Sequence, residues 1–126
     1  MSERNIYEAL GGHQVFENLV SHFYALVTVD PILRPMYPDT GLGEAAERLM
    51  LFLEQYWGGP TTYQETRGHP RLRMRHAGFH IGQKEHDAWL RCMKPAVDEM
   101  DVEPELKAQV WSYMEFAAAS LVNQPD

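Results

Sequence analysis

Among the six histidines of the chain, His76 and His80 stand apart by their spacing. They are spaced by four positions, so one helical face could present both to a metal ion. Gly78 lies between them and weakens a continuous helix, and no cysteine or carboxylate completes a tetrahedral zinc set. A single neutral imidazole such as His76 can instead be the axial ligand of haem iron, or simply a packed histidine. Spacing leaves those two readings open. His13, His22 and His86 lie among polar neighbours on helical runs and read as solvated, while His69 precedes Pro70 in a loop. A second set comprises Tyr24, Tyr37 and Trp89, each an apolar body with a hydrogen-bond donor at its tip. They are either ordinary core aromatics or donors into a pocket. Cys92 is the one cysteine, which excludes an internal disulfide, a four-cysteine metal site, an iron–sulfur cluster and C-x-x-C-H attachment. Any haem would be held without a covalent bond.

Helices must position these residues. Val15, Phe16, Leu19, Val20, Phe23, Tyr24, Leu26 and Val27 recur at steps of three and four, which predicts a helix from His13 to Val29. Ile6-Tyr7-Ala9-Leu10 forms a short apolar turn before it, and Gly11-Gly12 permits a sharp change of direction. Asp30-Pro31 ends the long helix, with Pro35 and Pro38 keeping the segment to Asp39 short. A second periodic run carries Leu42, Ala45, Leu49, Phe52, Leu53, Tyr56 and Trp57 on one side. Glu44, Glu47, Arg48, Glu54 and Gln55 fall largely elsewhere, and Gly58-Gly59-Pro60 ends the run. From Gly58 to about Pro70 no period is visible, so a long loop is expected. Beyond the basic segment Arg71 to His76, a helix with Trp89, Met93, Ala96, Val97 and Met100 on one face contains Pro95, which should bend it. The last helix starts near Glu103-Pro104 and buries Leu106, Val110, Tyr113, Met114, Ala117 and Leu121. No run alternates with a strand's period, and the expected fold class is all-α.

The 126 residues suit a single domain, here 1–126, and 44% hydrophobic residues suit a globular one. No stretch reaches the roughly 20 apolar residues of a membrane span, and the polar start Met1-Ser2-Glu3-Arg4-Asn5 is not followed by a signal-peptide core. A soluble, cytoplasmic protein without stable membrane insertion is expected. The formal net charge of −7 disfavours a nucleic-acid partner, the cluster Arg67, Arg71, Arg73, Arg75 being the local exception.

Tyr7-Glu8-Ala9-Leu10-Gly11-Gly12, Phe23-Tyr24 and Tyr37-Pro38 together resemble the opening of the truncated haemoglobins. The likeness continues through Phe52-Leu53-Glu54-Gln55-Tyr56-Trp57-Gly58-Gly59-Pro60, Gly68-His69-Pro70-Arg71-Leu72-Arg73-Met74-Arg75-His76 and Trp89-Leu90. Tyr24 and Tyr37 paired with Trp89 is similar to the second group of that family. The resemblance implies a two-over-two helical sandwich around a non-covalent haem b, with His76 as the axial ligand of the iron. It implies Tyr24, Tyr37 and Trp89 as donors on the distal side, and Ala45 where many globins place a distal histidine, with Leu49 one turn on. Arg48 and Arg75 become candidate propionate partners. Phe52, Leu53, Leu72, Phe79, Ile81 and Met93 become candidate apolar haem contacts.

Reversible binding of oxygen, and of carbon monoxide or nitric oxide, is the function this implies. The alternative is a haem enzyme that reduces peroxide or detoxifies nitric oxide, fed by a reductase. The sequence leaves the physiological gas, the electron donor and a homodimer open.

Overall fold

The computed structural model describes residues 5–37, 42–68 and 81–123. Within them the elements are α1 (Ile6–Leu10), α2 (His13–Val29), a short 3₁₀ turn (Arg34–Met36), α3 (Gly43–Tyr56), α4 (Thr62–Arg67), α5 (Gln83–Asp98) and α6 (Pro104–Leu121). The described residues contain no strand. Helix α2 packs on both α3 and α5, and α5 packs on α6, so two helix pairs meet along α2 and α5.

Local chemistry sets the helix ends. Asn5 Oδ1 accepts from Glu8 N–H at 2.8 Å, capping α1, while Asn5 Nδ2 donates to Gly58 O at 2.9 Å. Tyr7 N–H adds a bond to Trp57 O at 2.9 Å, so the first turn is stapled to the end of α3. Gly11 closes α1 at φ 118°, and a Cβ there would sit 2.5 Å from Val15 Cγ2. Only glycine fits that left-handed position. At Gly59 the constraint is space, because a Cβ would lie 2.5 Å from Tyr7 Cδ1 and 2.9 Å from Glu54 O.

Phe16, Leu19, Val20, Phe23, Tyr24 and Val27 form the buried stripe of α2, as the period predicts. Asp30, only 7% exposed, ends that helix and ties three elements together. Its Oδ1 accepts from the N–H groups of Ile32 and Leu33 at 2.9 and 3.0 Å, and its Oδ2 from Arg91 Nη2 at 2.7 Å. Burial by itself would raise the Asp30 carboxyl, but Arg91 and the two backbone donors outweigh it and hold the group below the usual carboxylate range.

Three sequence expectations change. The stretch expected as an unbroken loop contains α4, a helix of six residues, too short for a period to register. Its anchor is the buried Tyr63, whose ring meets Phe52 edge to face at a centroid distance of 5.8 Å. Pro95 does not interrupt α5, which is assigned through to Asp98. The backbone bond it cannot donate falls in the last turn, where little helix remains to destabilise. Glu54, expected on the polar side of α3, is 3% exposed.

The partner of that buried carboxylate is His13, the first residue of α2, whose Nδ1 lies 2.6 Å from Glu54 Oε1. His13 Nε2 also meets Glu17 Oε2 at 3.2 Å. The hydrogen bond to Glu54 and then its charge raise the His13 pKa, burial opposes them, and Glu17 adds a smaller upward push. A raised folded-state value means that the stabilisation is fully present below about pH 6.5, the unfolded value, and is lost as pH rises through the folded one. The expected result is a gap in melting temperature between the wild type and His13→Gln that narrows from pH 5.5 to pH 8.5. Thermal unfolding by circular dichroism measures it, and a gap that stays constant or widens would contradict the clamp.

Candidate functional site

The apolar face of α3 is the least covered in the fold. Leu53 and Glu54 are its fully buried residues, whereas Ala45, Leu49 and Phe52 are only half-buried. They face a cavity of about 580 Å³ bounded by α2, α3, α5 and α6. That volume lies within the roughly 300–1,000 Å³ typical of cofactor and ligand pockets.

Tyr24, Tyr37, Ala45, Arg48, Leu49, Phe52, Leu53, Ile81 and Trp89, all expected at a pocket, line this cavity. Met93 does not. It is fully buried in the core behind the wall, because residues four apart on α5 share a face only approximately and Trp89 takes the cavity side. Leu72, Arg75, His76 and Phe79 lie outside the described residues, as does His80. Sequence reasoning missed Tyr63 of α4 and His86 of α5, which also line the cavity. His86 was expected in solvent, yet its side chain is 19% exposed. Its three-residue offset from Trp89 was the available signal.

The donors are grouped. The Tyr24 and Tyr37 rings meet edge to face with centroids 5.8 Å apart, and Trp89 tilts over Phe23 at 5.3 Å. Burial above all pushes the Tyr24 phenol far up. Its proton is further held by the negative charge Tyr37 would carry and by the hydrogen bond given to Tyr37, with Arg48 opposing. Burial also raises Tyr37, while accepting that bond and the nearby Arg48 moderate the shift and Cys92 adds to it. Both phenols therefore stay protonated at physiological pH, so the hydroxyls of Tyr24 and Tyr37 and the indole N–H of Trp89 are all donors at the cavity.

Arg48 brings a cation to the α3 side of the cavity. Its pairing with Glu44 is loose, at 3.9 Å between a half-exposed and an exposed group, so it is available to an anion. Lone Cys92 is buried, with its thiol 3.6 Å from Asp30 Oδ2. Burial first, then the charge and hydrogen bond of Asp30, raise it to about 11. It is an inert core thiol, not a point of attachment. Apolar walls, protonated donors on one side and a cation at the edge fit a flat, largely apolar cofactor with carboxylate groups, which is what haem is.

Comparison with known proteins agrees. Residues 5–123 match the family described as bacterial-like globin. The chain is 42% identical to the group 2 truncated hemoglobin YjbI of Bacillus subtilis over 120 residues, 95% of this chain and 89% of the relative. Among solved structures it is similar to a thermostable hemoglobin from Thermobifida fusca, with 53% identity, a TM-score of 0.95, and coverage of 98% of this chain and 100% of that one. The group II truncated hemoglobin of Bacillus anthracis superposes with a TM-score of 0.94 at 40% identity, over 100% of this chain and 96% of that one. No described helix is long and apolar enough to cross a membrane. Haem iron and small gaseous ligands are what a globin is expected to carry, and its all-helical two-over-two architecture is the one built here by α2 with α3 and α5 with α6. The chain belongs to the bacterial-like globins and, among them, to the group II truncated haemoglobins.

Proposed function

We propose that the cavity holds a non-covalent haem b ligated by His76, and that the protein binds dioxygen reversibly and releases it slowly. When bound, the haem supplies an open iron coordination position for a diatomic gas. The observation that carries the reading is that Tyr24, Tyr37 and Trp89 all line one otherwise mostly apolar cavity.

Dioxygen held on a ferrous centre draws electron density and accepts hydrogen bonds, whereas carbon monoxide does so less. Tyr24, Tyr37 and Trp89 serve as the donors, and the edge-to-face contact of the two tyrosine rings sets their hydroxyls beside one another. A hydrogen bond to a charged partner contributes about 1.5–3 kcal/mol. Two such bonds slow release by about two orders of magnitude or more, each 1.4 kcal/mol being tenfold. Ala45 leaves the α3 wall without a polar side chain there, so recognition falls to the aromatic donors. Arg48 is positioned to hold a haem propionate, and Phe52, Leu53 and Ile81 to contact the ring.

Absorption spectra of the purified protein in ferric, ferrous, oxygenated and carbon monoxide forms test the reading. The expected result is a haem protein with a histidine-ligated ferrous state and an oxygenated form that persists over many minutes. A chain that neither copurifies with haem nor takes it up would overturn it.

A further inference from the structure

One turn ahead of Trp89 on α5, His86 is the one histidine among the described residues of the cavity wall. With 19% of its side chain exposed, it reaches both cavity and solvent. Its Nδ1 lies 2.9 Å from Asp87 Oδ1, and Gln83 Nε2 lies 2.7 Å from the same oxygen. Hydrogen bonds from His86 and then Gln83 hold the Asp87 carboxyl below its usual range, against a small opposing effect of burial. Gln83 Nε2 also lies 3.3 Å from Nδ1, but the shorter contact is with the ionised carboxylate, which only accepts, so Nδ1–H donates to Asp87 and Nε2 is left as the acceptor. That Nε2 meets no hydrogen-bond partner among the described residues.

The other titratable and charged groups on the described walls are Glu85 beside it, Arg48 from α3, Tyr24 from α2, Tyr37 beyond the 3₁₀ turn, Tyr63 from α4 and Tyr113 from α6. Burial keeps the phenols of Tyr24, Tyr37 and Tyr113 protonated, so they donate and do not accept protons. Glu85 Oε1 accepts the Gly82 N–H at 2.9 Å at the start of α5. The imidazole, oriented by a carboxylate, is the neutral nitrogen base among the described residues of this wall.

We propose that His86, oriented by Asp87, accepts the proton of weak-acid ligands that enter the cavity as neutral molecules and bind as anions. The inference rests on the haem reading above. Mostly apolar walls favour entry of the neutral acid, because bringing in a bare anion costs its hydration. With hydrogen cyanide as the probe, the H–C bond breaks and its electron pair stays on carbon. The proton forms a bond to His86 Nε2, and the imidazolium returns it to water on its exposed side. No electron changes hands.

Stopped-flow association of cyanide with the ferric holoprotein between pH 5 and 9 tests this, alongside carbon monoxide association with the ferrous form, which needs no proton transfer. In His86→Gln the ratio of cyanide to carbon monoxide association rates at pH 7.5 should fall about a hundredfold, the low end for general base catalysis. Asp87→Asn should give a smaller fall in the same ratio. Nitrogen NMR of the wild-type imidazole should show the Nδ1–H tautomer. A ratio within about twofold of wild type in His86→Gln, or the Nε2–H tautomer in the wild type, overturns the proposal while leaving gas binding intact. Absence of carbon monoxide binding in the wild type overturns both readings.

Discussion

His76→Gly should abolish stable haem retention, with imidazole added to the solution restoring the Soret band. The proximal bond fixes the cofactor, and without it the apolar walls retain haem only weakly and in more than one orientation. Glycine opens the space a free imidazole needs to take the place of the lost side chain. Haem occupancy after gel filtration and the ferrous spectrum, each with and without imidazole, measure the effect. His80→Ala should keep a wild-type spectrum, which separates the two members of the pair. Full occupancy with a wild-type Soret band in His76→Gly, without added imidazole, would place the iron bond on another histidine, His86 being the one on the described wall.

Oxygen dissociation should accelerate about tenfold or more in Trp89→Phe, the kinetic equivalent of losing about 1–3 kcal/mol of hydrogen bonding. Tyr37→Phe and Tyr24→Phe should act in the same direction with smaller single effects, because the two rings meet edge to face and a hydroxyl can re-aim when its neighbour is lost. The double tyrosine variant should therefore depart from the sum of the singles. Carbon monoxide dissociation should respond less throughout, since that ligand carries less charge. Trp89→Phe also removes bulk, so faster association of both gases would report its steric share. Oxygen dissociation within about twofold of wild type in all four variants would reduce these residues to packing.

Several elements were legible in the sequence because their covering partners are continuous. Helix α2 was read from His13 to Val29 and is found with those bounds, its apolar stripe being buried along most of its length. Glu103-Pro104 announced α6 correctly, since proline at the first helical position lacks only a donor that would be unpaired anyway. The aromatic donors Tyr24 and Trp89 were legible as candidates from residue type, and with Tyr37 became a set only through the family resemblance. Met93, read from the same stripe as Trp89, is buried in the core and is not among the residues lining the cavity, because a helical stripe is wider than the strip of it that any one neighbour covers.

By itself, then, the sequence determined the all-helical class and the run of the long helices, and through the resemblance of its motifs the family. Periodicity suffices for the helices, since it is a property of neighbours along the chain. Only the tertiary structure decided that Glu54 is buried against His13, that α4 places Tyr63 on the cavity, and that His86 faces the same space as Trp89. A carboxylate and an imidazole 41 positions apart carry no mark of their pairing. What a polar side chain does depends on which distant group removes its water, and that is settled when helices pack.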